Sequence, residues 1–260
     1  MYRSSTYNQT SADISVGATT PPASRETAAD QPGQRLRFLA ALSGIVGPVL
    51  LIAYFITPLL VSWPSTAESP AKVAAYASAH RALFYLGGWL QTTGALLSVV
   101  FLLVLLQHSG ARRTLAGSAT IIGCAVLLSV VAVEAVMLEA VAVGAANGDH
   151  ATVATGFQLA SGVFARIFPL APAPLVFAGI GFALFGTTIL PRVFAGAAVA
   201  ISGLFLISGL AAVFGSGGLI FATVMSVVEA IWIPAAAIAY ARTSARARHR
   251  ELSSPASWSG

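Results

Sequence analysis

Six apolar runs dominate this chain, at residues 38–61, 83–106, 115–143, 168–190, 193–214 and 219–240. A run of about 20 apolar residues matches the hydrocarbon core of a bilayer, roughly 30 Å thick. Backbone amides find no water there, so each run has to close its own hydrogen bonds as a helix. A membrane β-barrel would instead show alternating segments of about ten residues. The predicted fold is therefore all-α, a six-span transmembrane helix bundle.

Composition supports that reading. Of 260 residues, 9% are charged and 57% hydrophobic, whereas a typical soluble domain carries about 25% charged residues. The formal net charge is +5. Most of the basic residues flank the apolar runs, so they read as topology signals rather than as a nucleic-acid surface. The expected partner is the lipid bilayer, with a small solute or protein partner left open and no nucleic acid. A cytoplasmic N-terminus puts Arg25, Arg35, Arg37, Arg112, Arg113, Arg192, Arg242, Arg246, Arg248 and Arg250 inside, along with the distant Arg3. Lys72 and Arg81 then lie outside, with Arg166 near the outer edge of span four. Both termini are expected in the cytoplasm, in a multi-pass protein of a bacterial inner membrane.

Three regions follow. Residues 1–34, rich in Ser, Thr, Ala, Pro and Gln, read as a disordered cytoplasmic tail. No apolar stretch sits near the start as in a signal peptide, and the first run is long enough to act as an anchor. Residues 35–242 form the six-span domain, and 243–260 a basic cytoplasmic tail. In the first outer loop, residues 71–78 suit a short interfacial helix begun by Pro70, with Trp63 and Tyr76 at headgroup level. In the second outer segment, residues 152–167 either extend span four outward or lie along the interface. Pro169, Pro172 and Pro174 predict a kink in that span. The tight Leu190-Pro191-Arg192 connection makes spans four and five antiparallel neighbours. Gly179, Gly181, Gly186, Gly196, Gly203 and Gly209 are placed to let them approach closely.

Ionisable residues inside membrane spans are costly and need a partner, a proton or a task. Glu229 falls near the middle of span six, Glu134 in the outer third of span three, and Gln91 several residues below the outer end of span two. Glu139 and Arg166 fall close to the outer boundary. These five form the candidate intramembrane polar site. Arg166 is expected to reach headgroups or to pair with Glu139 or Glu134. Glu229 is expected to face the bundle interior, with Gln91, Thr92 or a backbone carbonyl as partner. Span three reads Val133-Glu134-Ala135-Val136 and span six Val228-Glu229-Ala230-Ile231. This echo joins the third helices of two three-span halves, as an inverted repeat with a midplane site would. It is short in a chain rich in Ala and Val, and the other span pairs show no match, which favours chance similarity.

No catalytic set is legible. His80, His108, His150 and His249 all lie at or beyond span ends, so no haem is expected between helices. The single cysteine, Cys124, rules out an intrachain disulfide and a cysteine metal cluster. No H-E-x-x-H or P-loop occurs. Gly215-Ser216-Gly217 lacks the G-x-S-x-G pattern and reads as a flexible turn. No cofactor or metal is expected, and the chain reads as non-enzymatic.

Four soft motifs remain: Leu83-Phe84-Tyr85-Leu86-Gly87 opening span two, Glu134 in span three, Pro191-Arg192 through Gly196 opening span five, and Glu229 followed by Trp232 in span six. In these the stretch 71–240 resembles a family of bacterial polytopic membrane proteins, domain of unknown function 4386. Gly196 falls one position later than in the family pattern, and Val130 and Val131 stand where the family has an Arg before the span-three Glu. The resemblance implies six spans and weight on Glu134 and Glu229, but no activity. The leading expectation is an integral membrane protein of unassigned role that binds a partner or senses the envelope. The alternative is a small proton-coupled secondary transporter using its intramembrane carboxylates.

Overall fold

The computed structural model describes residues 31–61, 63–65, 68–214 and 218–253. The described residues are helical apart from short connections. The helices are α1 (Gln31–Leu60), α2 (Pro70–Ala79), α3 (Arg81–His108), α4 (Leu115–Asn147), α5 (His150–Gly162), α6 (Pro172–Phe185), α7 (Arg192–Phe214) and α8 (Gly218–Ser253). Six segments are long and apolar enough to cross a membrane, the fourth being the continuous stretch His150–Phe185. The outward faces are apolar as well: Phe182, Ile207 and Ile231 are each more than half exposed. A soluble monomer would not display such a surface, and the protein is a multi-pass membrane protein. The tail expected at 1–34 lies outside the described residues as far as residue 30, and α1 begins at Gln31. The Gly215-Ser216-Gly217 turn also lies outside them, as does the end of the basic tail from residue 254.

Local chemistry sets the helix ends. Ser69 caps α2 by accepting from the Lys72 amide at 3.4 Å, and Pro70 occupies the first turn, where its missing N–H is harmless. Thr114 caps α4 through the Gly117 amide at 3.1 Å. Gly148, at φ 71°, closes α4 in the left-handed conformation that favours glycine. Asp149 then caps α5, accepting from the Ala151 and Thr152 amides at 3.1 Å each.

The six spans close into a ring, packed in the order α1, α3, α4, α6, α7, α8 and back to α1. Spans four and five are neighbours, as the short connection requires. The glycines, however, divide. A Cβ at Gly181 would sit 2.8 Å from Val199 on α7, whereas Gly179 is pressed against Thr120 on α4 instead. Gly186, Gly196 and Gly203 have no neighbour within 4 Å of such a Cβ. The first two spans meet backbone to backbone at Gly47 and Gly94, where an added Cβ would meet the other glycine's carbonyl oxygen at 2.7 and 2.8 Å.

Span four is continuous but broken in register. Residues 152–167 extend it. A π-helical turn, Val163–Ile167, follows α5; a helical turn, Phe168–Leu170, comes next; and Ala171 leaves helical geometry at φ −125°, ψ −69°. Pro169, Pro172 and Pro174 have no N–H to give the carbonyls four residues back, which is why the ladder cannot run through. The prolines foretold the kink; the π turn is an addition. At one end of the bundle α2 packs on α5 over a separate apolar cluster that includes Phe84, Leu138, Val141 and Phe157. Trp63 lies against it, its ring centroid 4.8 Å from that of Phe84.

Candidate functional site

Helical spacing lines up one face on each of several spans. On α1 these are Gly47, Leu51 and Tyr54; on α3, Gln91, Ala95, Ser98 and Leu102; on α4, Leu127, Val131 and Glu134; on α8, Ser226 and Glu229. Spacings of three and four residues bring side chains onto one face. The ring turns these faces inward, and the Gly47–Gly94 contact draws α1 against α3 beside them.

At their meeting point lies a cavity lined by Gln91, Ser98, Glu134, Ser226 and Glu229 among apolar neighbours. The broken span four closes it with Phe164 and Phe168, whose rings stack with centroids 5.8 Å apart. About 30 Å³ of it is open to the centres of water-sized bodies. One water needs about 10–15 Å³ by that measure, so the cavity has room for about two or three.

The two carboxylates in it are held differently. Glu134 is 3% exposed and accepts two hydrogen bonds. Tyr54 donates to Oε1 at 3.1 Å, and the Gln91 amide nitrogen donates to Oε2 at 2.7 Å. Glu229 is 7% exposed and makes no hydrogen bond to any described residue. The expected Glu229–Gln91 bond is therefore replaced by Gln91–Glu134. The physical reason is that Gln91 has one amide nitrogen facing this way, and the packed α3–α4 pair offers it the nearer acceptor. The Gln91 carbonyl oxygen is left buried with no partner.

Of the five residues singled out from sequence, the structure brings together Glu134, Glu229 and Gln91. Arg166 lies on the π turn with its side chain exposed, and Glu139 is exposed on α4. No ion pair joins Arg166 to Glu139 or Glu134; the pair seen among the described residues is Lys72–Glu68 at 2.8 Å. No group of three or more His, Cys, Asp or Glu sits together among the described residues.

Tyr54, Ser98 and Ser226 are site residues that sequence reading passed over. Tyr54 carries a hydroxyl inside an apolar run and needs a partner there, which was a usable signal. The two serines gave none, since small hydroxyl residues are ordinary packing in membrane helices. No family model, curated protein or solved structure matches the chain.

Proposed function

We propose that the chain is a small secondary transporter that couples solute movement to protons through Glu134 and Glu229. The observation that carries this reading is that carboxylates from α4 and α8 line one water-sized cavity inside the ring. A carboxylate in a span is costly unless it has a partner, a proton or a task, and two sharing a water-sized cavity suit proton uptake and release. The break in span four adds support, because interrupted helices beside a midspan site recur in transporters and can re-satisfy their backbone as the site opens. A purely structural pair would be tightly packed and fully hydrogen-bonded, and Glu229 is neither.

The same proposal places the protein in a bacterial inner membrane with both termini cytoplasmic, on the strength of the basic residues that flank the spans. The resemblance to a bacterial family of unknown function belongs to this proposal and adds no activity to it. Orientation is tested by single cysteines, Asn147→Cys and Ser253→Cys, without Cys124, in intact cells. An impermeant thiol reagent labels the first and spares the second; the reverse pattern inverts the topology.

Transport is tested in proteoliposomes enclosing a pH-sensitive dye, with gradients of amino acids, sugars, organic cations and inorganic cations imposed one at a time. At least one gradient moves protons with the wild-type protein, and none does with Glu229→Gln. Identical traces for wild type, Glu229→Gln and protein-free liposomes would return the pair to a structural role.

A further inference from the structure

We propose that the cavity is a binding site for a desolvated monovalent inorganic cation of the sodium class, which competes with a proton for the Glu134–Glu229 pair. The inference rests on the transport reading and names the ion that the proton exchanges with.

The argument comes from which atoms are left over. Ser98 donates its hydroxyl proton to the Gly94 carbonyl at 2.8 Å, and Ser226 donates to the Ala222 carbonyl at 2.8 Å. Their hydroxyl hydrogens are spent on their own helices, so only lone pairs remain. One N–H of the Gln91 amide is used on Glu134, and the Gln91 carbonyl oxygen is buried, 3% exposed as a residue, without a partner among the described residues. Glu229 receives no hydrogen bond from any described residue. The polar side chains of the lining thus offer mainly oxygen acceptors, beside the second N–H of the Gln91 amide.

Charge points the same way. The titratable groups around the cavity are Tyr54 from α1, Glu134 from α4 and Glu229 from α8, with Cys124 of α4 within electrostatic reach of Glu229. No lysine, arginine or histidine lines it. Two uncompensated carboxylates inside a membrane are strongly disfavoured. Two protons neutralise the pair; so do one proton and one monovalent cation. When Na⁺ enters, one carboxyl gives up its proton to solvent and the net charge of the site is unchanged.

Size and chemistry select the ion. The lining atoms are hard oxygens, which suit alkali and alkaline-earth ions rather than soft metals. Room for about two or three water-sized bodies means an entering ion sheds most of its water. Divalent ions resist that, Mg²⁺ above all, and Glu134 already spends both oxygens on hydrogen bonds. A small monovalent ion is the occupant that fits.

The test is radioactive-sodium binding to the purified full-length protein in detergent, in alkaline and in mildly acidic buffer. The expected result is saturable binding in alkaline buffer, one ion per chain, displaced by unlabelled NaCl and by acid but not by choline chloride. Glu229→Gln, which disturbs no hydrogen bond, abolishes it. Ser226→Ala, whose hydroxyl bonds only its own helix, weakens it about five- to tenfold, the equivalent of one lost oxygen contact. No saturable sodium binding by the folded wild type would overturn the proposal. So would binding that survives Glu229→Gln, or displacement by CaCl₂ at lower concentration than NaCl. Proton movement in liposomes without sodium binding overturns this inference alone. Sodium binding without proton movement under any gradient overturns the transport reading alone.

Discussion

The α4 wall and the α8 wall of the cavity carry nearly the same local sequence and meet opposite fates. Val133-Glu134-Ala135 places its carboxylate between Tyr54 and Gln91, with both oxygens hydrogen-bonded. Val228-Glu229-Ala230 places its carboxylate in the same cavity with no hydrogen bond. The surroundings differ, not the motif. Around Glu134, α1 and α3 are drawn together by Gly47 and Gly94 and both present donors. Around Glu229, the facing residues are serines whose protons are already spent and a phenylalanine-lined break. One wall satisfies both oxygens of its carboxylate, and the other leaves its carboxylate without a hydrogen bond among the described residues.

The comparison breaks most visibly at Glu134. Glu134→Ala strands the Tyr54 hydroxyl and the Gln91 amide in a buried setting. Each stranded group costs about 1–3 kcal/mol, so the loss is expected at about 2–6 kcal/mol. Thermal unfolding in detergent micelles should show a large fall in midpoint. Glu134→Gln should fall much less, because Gln91 can turn its unpaired carbonyl oxygen toward the new amide.

Gly94→Val tests whether the Glu134 wall depends on close helix approach. A Cβ there lands 2.8 Å from the Gly47 carbonyl oxygen, which is backbone and cannot rotate away. Overpacking of this kind costs about 1–3 kcal/mol. It should also loosen Tyr54 from Glu134, detectable as faster hydrogen exchange in α1.

Tyr54→Phe removes one of the two donors and leaves the Gln91 bond in place. About 1 kcal/mol is expected, read as a modest shift in the same unfolding midpoint. An effect as large as that of Glu134→Ala would mean that Gln91 contributes nothing.

Glu229→Leu should leave stability unchanged or raised, since it removes an unpaired buried carboxyl and adds apolar packing. Cation binding and proton movement should nonetheless be lost. A large destabilisation would show that the α8 wall is structural after all, and would erase the contrast.

The smallest expected effect lies outside the membrane spans, at Asp149. Hydrogen bonds from Thr152 and Ala151 hold its carboxyl below the usual aspartate range. A lowered folded value means that the cap is intact above the ordinary aspartate pKa of about 3.9 and weakens as pH falls through the folded value. Amide exchange at Ala151 and Thr152 should quicken only in that acid range, and neither wall of the cavity should respond to Asp149→Ala.

The sequence alone determined the spans, because length and continuous hydropathy leave a chain in lipid no choice but helices. It determined α2 through Pro70, the kink through Pro169, Pro172 and Pro174, and the importance of Glu134 and Glu229 through the cost of carboxylates in a span. Partnership was decided only in three dimensions. By depth Arg166 has two readings, headgroup contact or a pair with Glu139 or Glu134; it lies exposed with no such pair, because depth fixes height along a helix but not the direction a side chain faces. Gln91, one of three candidate partners for Glu229, bonds Glu134 instead, because the packing order of the ring decides which helix lies beside α3. Tyr54, Ser98 and Ser226 joined the site for the same reason: four separate helix faces converge only once Gly47 and Gly94 have let the backbones close.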